Sequence, residues 1–546
     1  ESHSKKASEA MSSTTTITKT STTNNQTNAA STPSPRWTHL FAVLAAIALG
    51  ATLLRPQWTT TANTSAKRPD VVVFVADDLG AADVGYMHSG GPRAFATPTI
   101  DKLARKSLRL TRFYGAPMCT PARAALMTGR HAHKTGLAFF VLLANQPTGL
   151  DEREVTLGER FRARGYATHM IGKWHLGFAR RAWLPANRGF DSFFGYCLGA
   201  QDYTRHESGE WLEGSIALGR RRAFALEAPG HDLWRNDAPL DRSPATDGVH
   251  SAELFANEAR TVVGAADGER PLYLYYAAQT PHAHFVDGTP QRHVAAARRM
   301  GFDGGDARSD VAALVAALDE QVGAVFEAFE ARKRPLVFWF LGDNGPEAGT
   351  GASAFPFRGA KRTVFEGGIR TPSFIYAPGI VAPGETNAVT RIVDVGPTLL
   401  GLVGATVRGL DGRDVRSDWE RPSNEDLVLF YDKAARCGAA VRGQYKYVLN
   451  GGCLYSDVQH VGWPDDDEDE DPPCVGPGVE CLFDLDKDPT ERVDVGNSHP
   501  AVLAALRALL FDAEIDSAPS RVLETPGDPA ADPRLHGGRW VSWLDL

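Results

Sequence analysis

Two apolar runs in this chain end in acid. Residues 71–76 read VVVFVA and lead directly into Asp77 and Asp78; residues 336–341 read LVFWFL and lead through Gly342 into Asp343 and Asn344. Short, continuously apolar runs are the signature of strands buried on both faces. In open α/β sheets, ligands bind beyond the carboxyl ends of the strands. Three carboxylates and one amide delivered to that edge form an all-oxygen donor set, which suits calcium or magnesium better than zinc. A single acid-tipped strand is most simply a turn or a helix cap; two in one chain favour a metal.

Cys119 lies in APMCTPAR (116–123), ahead of AALMTGR (124–130). Pro121 suits the first position of a helix, with Thr120 as its cap. Cys119 is then placed at a helix N-terminus, where free N–H groups and the dipole favour an anion, and Arg123 in the first turn can reach the same anion. Taken alone, the cysteine is more simply a buried structural thiol. Lys173 and His175 belong to GKWHLG (172–177). On an extended segment positions i and i+2 face the same way, so both are expected to point into one site. His282 ends QTPH (279–282) just after the apolar run 272–277, and Lys361 ends FRGAK (357–361). Each piece is weak by itself, because a lone histidine is usually a satisfied structural residue.

These side chains need a scaffold. Strand-like runs at 71–76, 272–277, 336–341 and 373–376 alternate with helical stretches at 98–108, 157–164, 249–263 and 309–332. That alternation predicts an α/β domain on a mainly parallel sheet over 69–424. From residue 425 the texture shifts to short strands at 427–431, 439–442, 445–449 and 482–484 and a terminal helix at 501–513. This predicts a small antiparallel α+β subdomain over 425–546. The acidic run 465–471 reads as a solvated loop.

At the other end, residues 1–36 are rich in Ser, Thr, Asn and Lys and read as a disordered tail, with 55–68 as a linker. Between them, 37–54 carries no formal charge. As a helix it spans about 27 Å against a hydrocarbon core of about 30 Å. It is expected to be a signal anchor, giving a single-pass membrane attachment, or a long signal peptide; either sends the chain into the secretory pathway. Asn63-Thr64-Ser65 is a glycosylation sequon. A net charge of −8 offers no basic surface, so no nucleic-acid partner is expected, although a local cluster of Lys and Arg can still bind an anion. Of six cysteines, Cys437, Cys453, Cys474 and Cys481 crowd near the C-terminus, where one or two bridges fit an oxidising compartment with the pairing open. The lack of a C-x-x-C pair argues against a zinc ribbon.

Six motifs, in order, resemble those of the formylglycine-dependent sulfatases. C-T-P-A-R followed by L-M-T-G-R is similar to C-x-P-S-R with its T-G-R segment. GKWHLG, QTPH, FRGAK, FEGGIR (365–370) and DVGPT (394–398) resemble, in turn, that family's lysine–histidine motif, its histidine after a strand, its L-R-G-x-K, its W-E-G-G-x-R and its structural D-x-x-P-T. The likeness covers about 69–500, and 188–206 looks closest to the arylsulfatase B-type branch. The resemblance implies an alkaline-phosphatase-like α/β fold, a large mixed, mainly parallel sheet flanked by helices with a smaller C-terminal α+β subdomain. It also implies sulfate monoester hydrolysis, one calcium ion on Asp77, Asp78, Asp343, Asn344 and residue 119, and oxidation of Cys119 by the formylglycine-generating enzyme.

In the mechanism so implied, the hydrated aldehyde attacks sulfur while Arg123, Lys173 and Lys361 neutralise the substrate. His282, with Lys361, protonates the departing alcohol, and His175 takes the proton that lets sulfate leave. Ala122 replaces the family's serine, but the C-x-P-x-R core is kept. The implied substrate is a sulfated glycan, with aryl sulfates as artificial substrates. A phosphatase or phosphodiesterase of the alkaline-phosphatase superfamily would place Ser or Thr at 119 and add a second, His-containing zinc site. A non-catalytic binder of sulfated glycans would not need every one of these positions filled. The cysteine and the full set argue against both.

Overall fold

A computed structural model describes residues 67–87, 95–209, 229–282, 288–406, 408–453, 462–463 and 473–546. The expected tail, the hydrophobic segment 37–54, nearly all of the linker, the sequon and the acidic run lie outside these residues. Among the described residues no helix is long and apolar enough to cross a membrane.

Ten strands form the main sheet: β1 (Asp70–Ala76), β2 (Leu108–Leu110), β3 (Ala167–Lys173), β4 (Ser192–Tyr196), β5 (Trp234–Arg235), β6 (Ala238–Pro239), β7 (Leu272–Ala277), β8 (Leu336–Gly342), β9 (Ser373–Tyr376) and β10 (Gly384–Thr386). Their order is β10-β2-β9-β8-β1-β7-β3-β4-β5-β6. The five central strands, β8 to β4, run parallel, and β9 is antiparallel to both its neighbours. Successive side chains of a strand point to opposite faces. Val71, Val73 and Val75 therefore enter one core, while Val72, Phe74 and Ala76 enter the other. The first face is covered by α2 (Cys119–Thr128), α3 (Leu157–Arg162) and α6 (Ile392–Leu402); the second by α1 (Pro98–Arg105), α4 (Ser251–Ala265) and α5 (Ala307–Glu330). Each large apolar side chain buried this way stabilises the fold by about 1.5–3 kcal/mol.

The C-terminal part is a four-stranded antiparallel sheet, β11 (Asp426–Asp432), β12 (Cys437–Arg442), β13 (Tyr445–Leu449) and β14 (Glu480–Asp484), ordered as in sequence. Helix α7 (Pro500–Ile515) lays Leu506, Leu510 and Ala513 on Val428, Ala440, Tyr447 and Leu482. Cys437 pairs with Cys453 and Cys474 with Cys481, leaving Cys119 and Cys197 as buried thiols. Lys446 of β13 joins the two parts: its Nζ lies 2.9 Å from both Glu366 Oε1 and Glu491 Oε1, and all three residues are buried.

Three expectations shift. Helix α1 stops at Arg105, because the chain turns into β2 at Leu108. Helix α2 begins at Cys119, with the extended Met118 as its cap residue, so Pro121 is its third residue. That position is allowed because the first four N–H groups of a helix have no intrahelical partner. Thr120 is therefore no cap. Its hydroxyl lies 3.2 Å from the His175 carbonyl, to which it donates, and accepts from the Leu142 N–H. Strands β3 and β4 were not read from the sequence.

Candidate active site

The strand ends singled out by sequence open on one crevice. β1 lies between β8 and β7, which brings Asp77–Asp78, Asp343–Asn344 and the turn 279–282 to the carboxyl edge of the sheet. Helix α2 presents its N-terminus there. A Cβ on Gly115 would stand 2.2 Å from the Asp343 carbonyl oxygen, so only glycine lets the segment leading to Cys119 lie against the end of β8.

Every charge in the crevice has a partner. Lys173 Nζ lies 2.7 Å from Asp77 Oδ2 and Lys361 Nζ 2.8 Å from Asp78 Oδ2. Arg123 Nη2 lies 2.8 Å from Asp343 Oδ2 and 3.4 Å from Asp77 Oδ1. The Cys119 thiol lies 3.5 Å from Asp77 Oδ1 and 4.0 Å from Asp78 Oδ1. Burial pushes that thiol up to about 12, so the unmodified side chain is a neutral thiol and a poor nucleophile. Burial also pushes on the carboxyls, but Lys173 and Arg123 hold Asp77 below the usual range, and Lys361 does the same for Asp78. At Asp343 burial wins over Arg123, and the carboxyl sits at about 6.

The donor set fits a hard divalent cation. Ligand atoms of Asp77, Asp78 and Cys119 lie within 4.8 Å of one another. Asn344 Nδ2 donates to Asp78 Oδ1 (2.7 Å) and to the Gly345 carbonyl (2.8 Å), while its Oδ1 is buried without a hydrogen-bond partner. A buried acceptor left unpaired costs about 1–3 kcal/mol, and a cation held by Asp77, Asp78, Asp343, Asn344 and residue 119 would remove that cost.

The two histidines reach this neighbourhood by different routes. His282 Nε2 lies 3.5 Å from both Asp78 Oδ2 and Lys361 Nζ, and burial lowers its imidazole to about 3. The parity argument for Lys173 and His175 does not hold. Lys173 ends β3, and His175 has a φ of 57°, so the backbone is no longer extended between them. His175 Nε2 instead lies 3.2 Å from the Leu142 carbonyl, and its Nδ1 is buried without a partner. Burial, then Lys173 and Arg123, hold its imidazole well below the ordinary value.

Several neighbours were missed in the sequence. Glu347 lies 3.5 Å from Lys361 and pairs with Arg362, whose N–H donates to the Pro117 carbonyl. Standing three residues after Asn344 and next to Lys361, these two could have been noticed from spacing alone. Asp394 pairs with Arg391 at 2.8 Å, the structural part expected of it.

The profile of the Sulfatase family matches residues 69–405. The chain belongs to the sulfatase family. It is 32% identical to arylsulfatase A of Homo sapiens, over 91% of this chain and 96% of that protein. It is 30% identical to arylsulfatase J of Mus musculus, over 88% and 81%. Among solved structures it resembles Ps i-CgsB in complex with k-i-k-neocarrahexaose, with a TM-score of 0.67 and 25% identity over 86% of this chain and 98% of that one. This sulfatase is thus a sulfuric ester hydrolase on the large mixed sheet with the antiparallel C-terminal sheet, as its motifs implied. Ala122, its departure from the usual signature, is fully buried in α2.

Proposed function

We propose that this sulfatase removes sulfate from a sulfated glycan, using residue 119 as nucleophile after its oxidation to formylglycine and one calcium ion on Asp77, Asp78, Asp343 and Asn344. The observation that carries the reading is the placement of Cys119 at the start of α2, against two carboxylates and within reach of Arg123. The ion supplies positive charge where negative charge develops, and the aldehyde hydrate supplies a nucleophile that the neutral thiol cannot.

The chain's own residues do the rest. Arg123, Lys173 and Lys361 bind and orient the sulfate group. Lys361 Nζ, and His282 Nε2 once the bound anionic sulfate ester favours its protonated form, are both against Asp78 and placed to give a proton to the departing oxygen. The Leu142 carbonyl can only accept, so it fixes the Nε2–H tautomer of His175 and leaves Nδ1 as the bare acceptor for the proton lost from residue 119. The glycan is supported by the oligosaccharide named in the Ps i-CgsB complex. The two disulfides suit an oxidising compartment such as the secretory pathway, where the formylglycine-generating enzyme would act.

The test is mass spectrometry of the peptide 113–123. Conversion appears as loss of H2S and gain of one oxygen, and Cys119→Ala is expected to abolish hydrolysis of an aryl sulfate. Full activity with an unmodified thiol overturns the reading.

A further inference from the structure

Residues 197–208 form a loop that touches both histidine segments. The Cys197 carbonyl accepts the His175 backbone N–H at 3.2 Å. Gly199 lies against the His175 ring. The Gln201 carbonyl accepts from Gln279 Nε2 at 2.5 Å, and the buried Tyr203 hydroxyl lies 3.3 Å from the Gln279 carbonyl and 3.0 Å from the His282 carbonyl.

Both ends of this loop close on one carboxylate, Asp232, which is fully buried. Its Oδ1 accepts from the Cys197 N–H (3.1 Å) and Trp234 Nε1 (2.8 Å); its Oδ2 accepts from the Leu198 N–H (3.0 Å) and lies 3.1 Å from Ser208 Oγ, whose single proton is shared with the Ala200 carbonyl of the same loop at 2.7 Å. Three N–H donors and the shared Ser208 hydroxyl hold it there, although burial raises its carboxyl above the usual range. Only an acceptor with two oxygens can serve donors on both sides at this spacing. The Leu198 N–H and the Cys197 carbonyl belong to one planar peptide unit. The carboxylate that holds the first therefore orients the second, on which the His175 backbone hangs.

We infer that Asp232 is a positioning residue: by fastening both ends of the 197–208 loop it sets where His175 and His282 stand. The inference rests on the roles proposed above for those histidines. It adds a group whose hydrogen bonds go to Cys197, Leu198, Ser208 and Trp234 and to none of the proposed metal ligands.

Asp232→Asn keeps the shape but turns an amide N–H toward one of the two backbone donors, so the peptide plane must tilt. In calcium-loaded, converted enzyme we expect kcat to fall about 10- to 100-fold for an aryl sulfate and at least as far for an alkyl sulfate. KM should stay near wild type, because Arg123, Lys173 and Lys361 lie outside the loop. Tyr203→Phe frees only the His282 turn, so its loss should be larger for the alkyl sulfate, whose oxygen needs a proton to leave, than for 4-nitrophenyl sulfate. Calorimetric calcium binding should be unchanged in both variants, which reads the folded site independently of turnover. Wild-type kcat in Asp232→Asn, or equal losses on both esters in Tyr203→Phe, overturns the inference. If Asp232→Asn does not fold, Ser208→Ala is read in the same way, with a smaller loss expected and wild-type kcat again overturning it. The two readings fail separately. Activity surviving in His175→Ala and His282→Ala removes the histidine roles, whereas their loss beside an unaffected Asp232→Asn removes only the loop.

Discussion

Gly199→Ala tests the placement of His175 most directly. A Cβ at position 199 would stand 2.8 Å from His175 Cε1, 3.1 Å from Nε2 and 3.5 Å from Nδ1. Carbon atoms pack comfortably at about 3.5–4.0 Å, so the ring must retreat by roughly 0.7–1.2 Å. It cannot do so and keep its 3.2 Å contact with the Leu142 carbonyl. The substitution itself is conformationally mild, since Gly199 is not among the glycines with a left-handed φ. A displacement of about 1 Å at a proton-transfer group costs about 100-fold, or about 2.7 kcal/mol in the barrier. We predict that loss in kcat on an aryl sulfate under saturating calcium, with KM and the thermal midpoint little changed. A wild-type kcat in Gly199→Ala would refute the steric reasoning, and a matching fall in thermal midpoint would show that the damage is to folding rather than to the ring.

Lys446→Met leaves Glu366 and Glu491 buried together without the cation they share, Glu366 keeping Arg370 at 3.1 Å, and loss of one partner from such a cluster costs about 3–5 kcal/mol. Denaturant unfolding should show that drop and partial recovery on adding Glu491→Gln; no drop would mean the cluster is incidental. Asp432 is buried, and burial raises its carboxyl to about 6 against an ordinary 3.8. Its contribution is then fully present below about pH 4 and lost as pH rises through about 6, on the order of 3 kcal/mol in all. Asp432→Asn, which keeps the acceptor for the Ala434 and Ala435 N–H groups, should match wild type at pH 4 and exceed it at pH 7.5; an equal gap at both pH values contradicts this. Calcium at 100 times its dissociation constant should stabilise the protein by about 2.7 kcal/mol in a thermal scan. Asp343→Asn should lose most of that gain, and a chelator without effect on wild type would count against the ion.

The acid-tipped strands were legible because a strand buried on both faces has to be apolar, so a carboxylate at its end stands out. Cys119 and Arg123 were legible because four residues on a helix put side chains on one face. Strand β3 was not, since Thr168 and His169 interrupt the apolar pattern, although both lie in the sheet beside β7; β4, which pairs with β3, went unread with it. Thr120 was misread for a related reason. Its type suits a cap, yet the hydroxyl is taken up by the His175 segment, a partner 55 residues away that local propensity cannot see. Asp232 and Gly199 carry no local signal at all: one matters for what it accepts, the other for the side chain it lacks.

The crevice also explains why so many charges can be buried together. Asp77, Asp78 and Asp343 are matched one to one by Lys173, Lys361 and Arg123, so without a metal its cations are already engaged and little net charge remains for an anion. Asp343 still sits high, and Asn344 Oδ1 still lacks a donor, which is how a site behaves when it is short of positive charge. A divalent cation would supply that charge and give the carboxylates a second partner, leaving more of the field of the lysines and arginine for substrate. In a site this buried each such change counts for more than it would in water. Metal and anion must then strengthen each other's binding by the same factor.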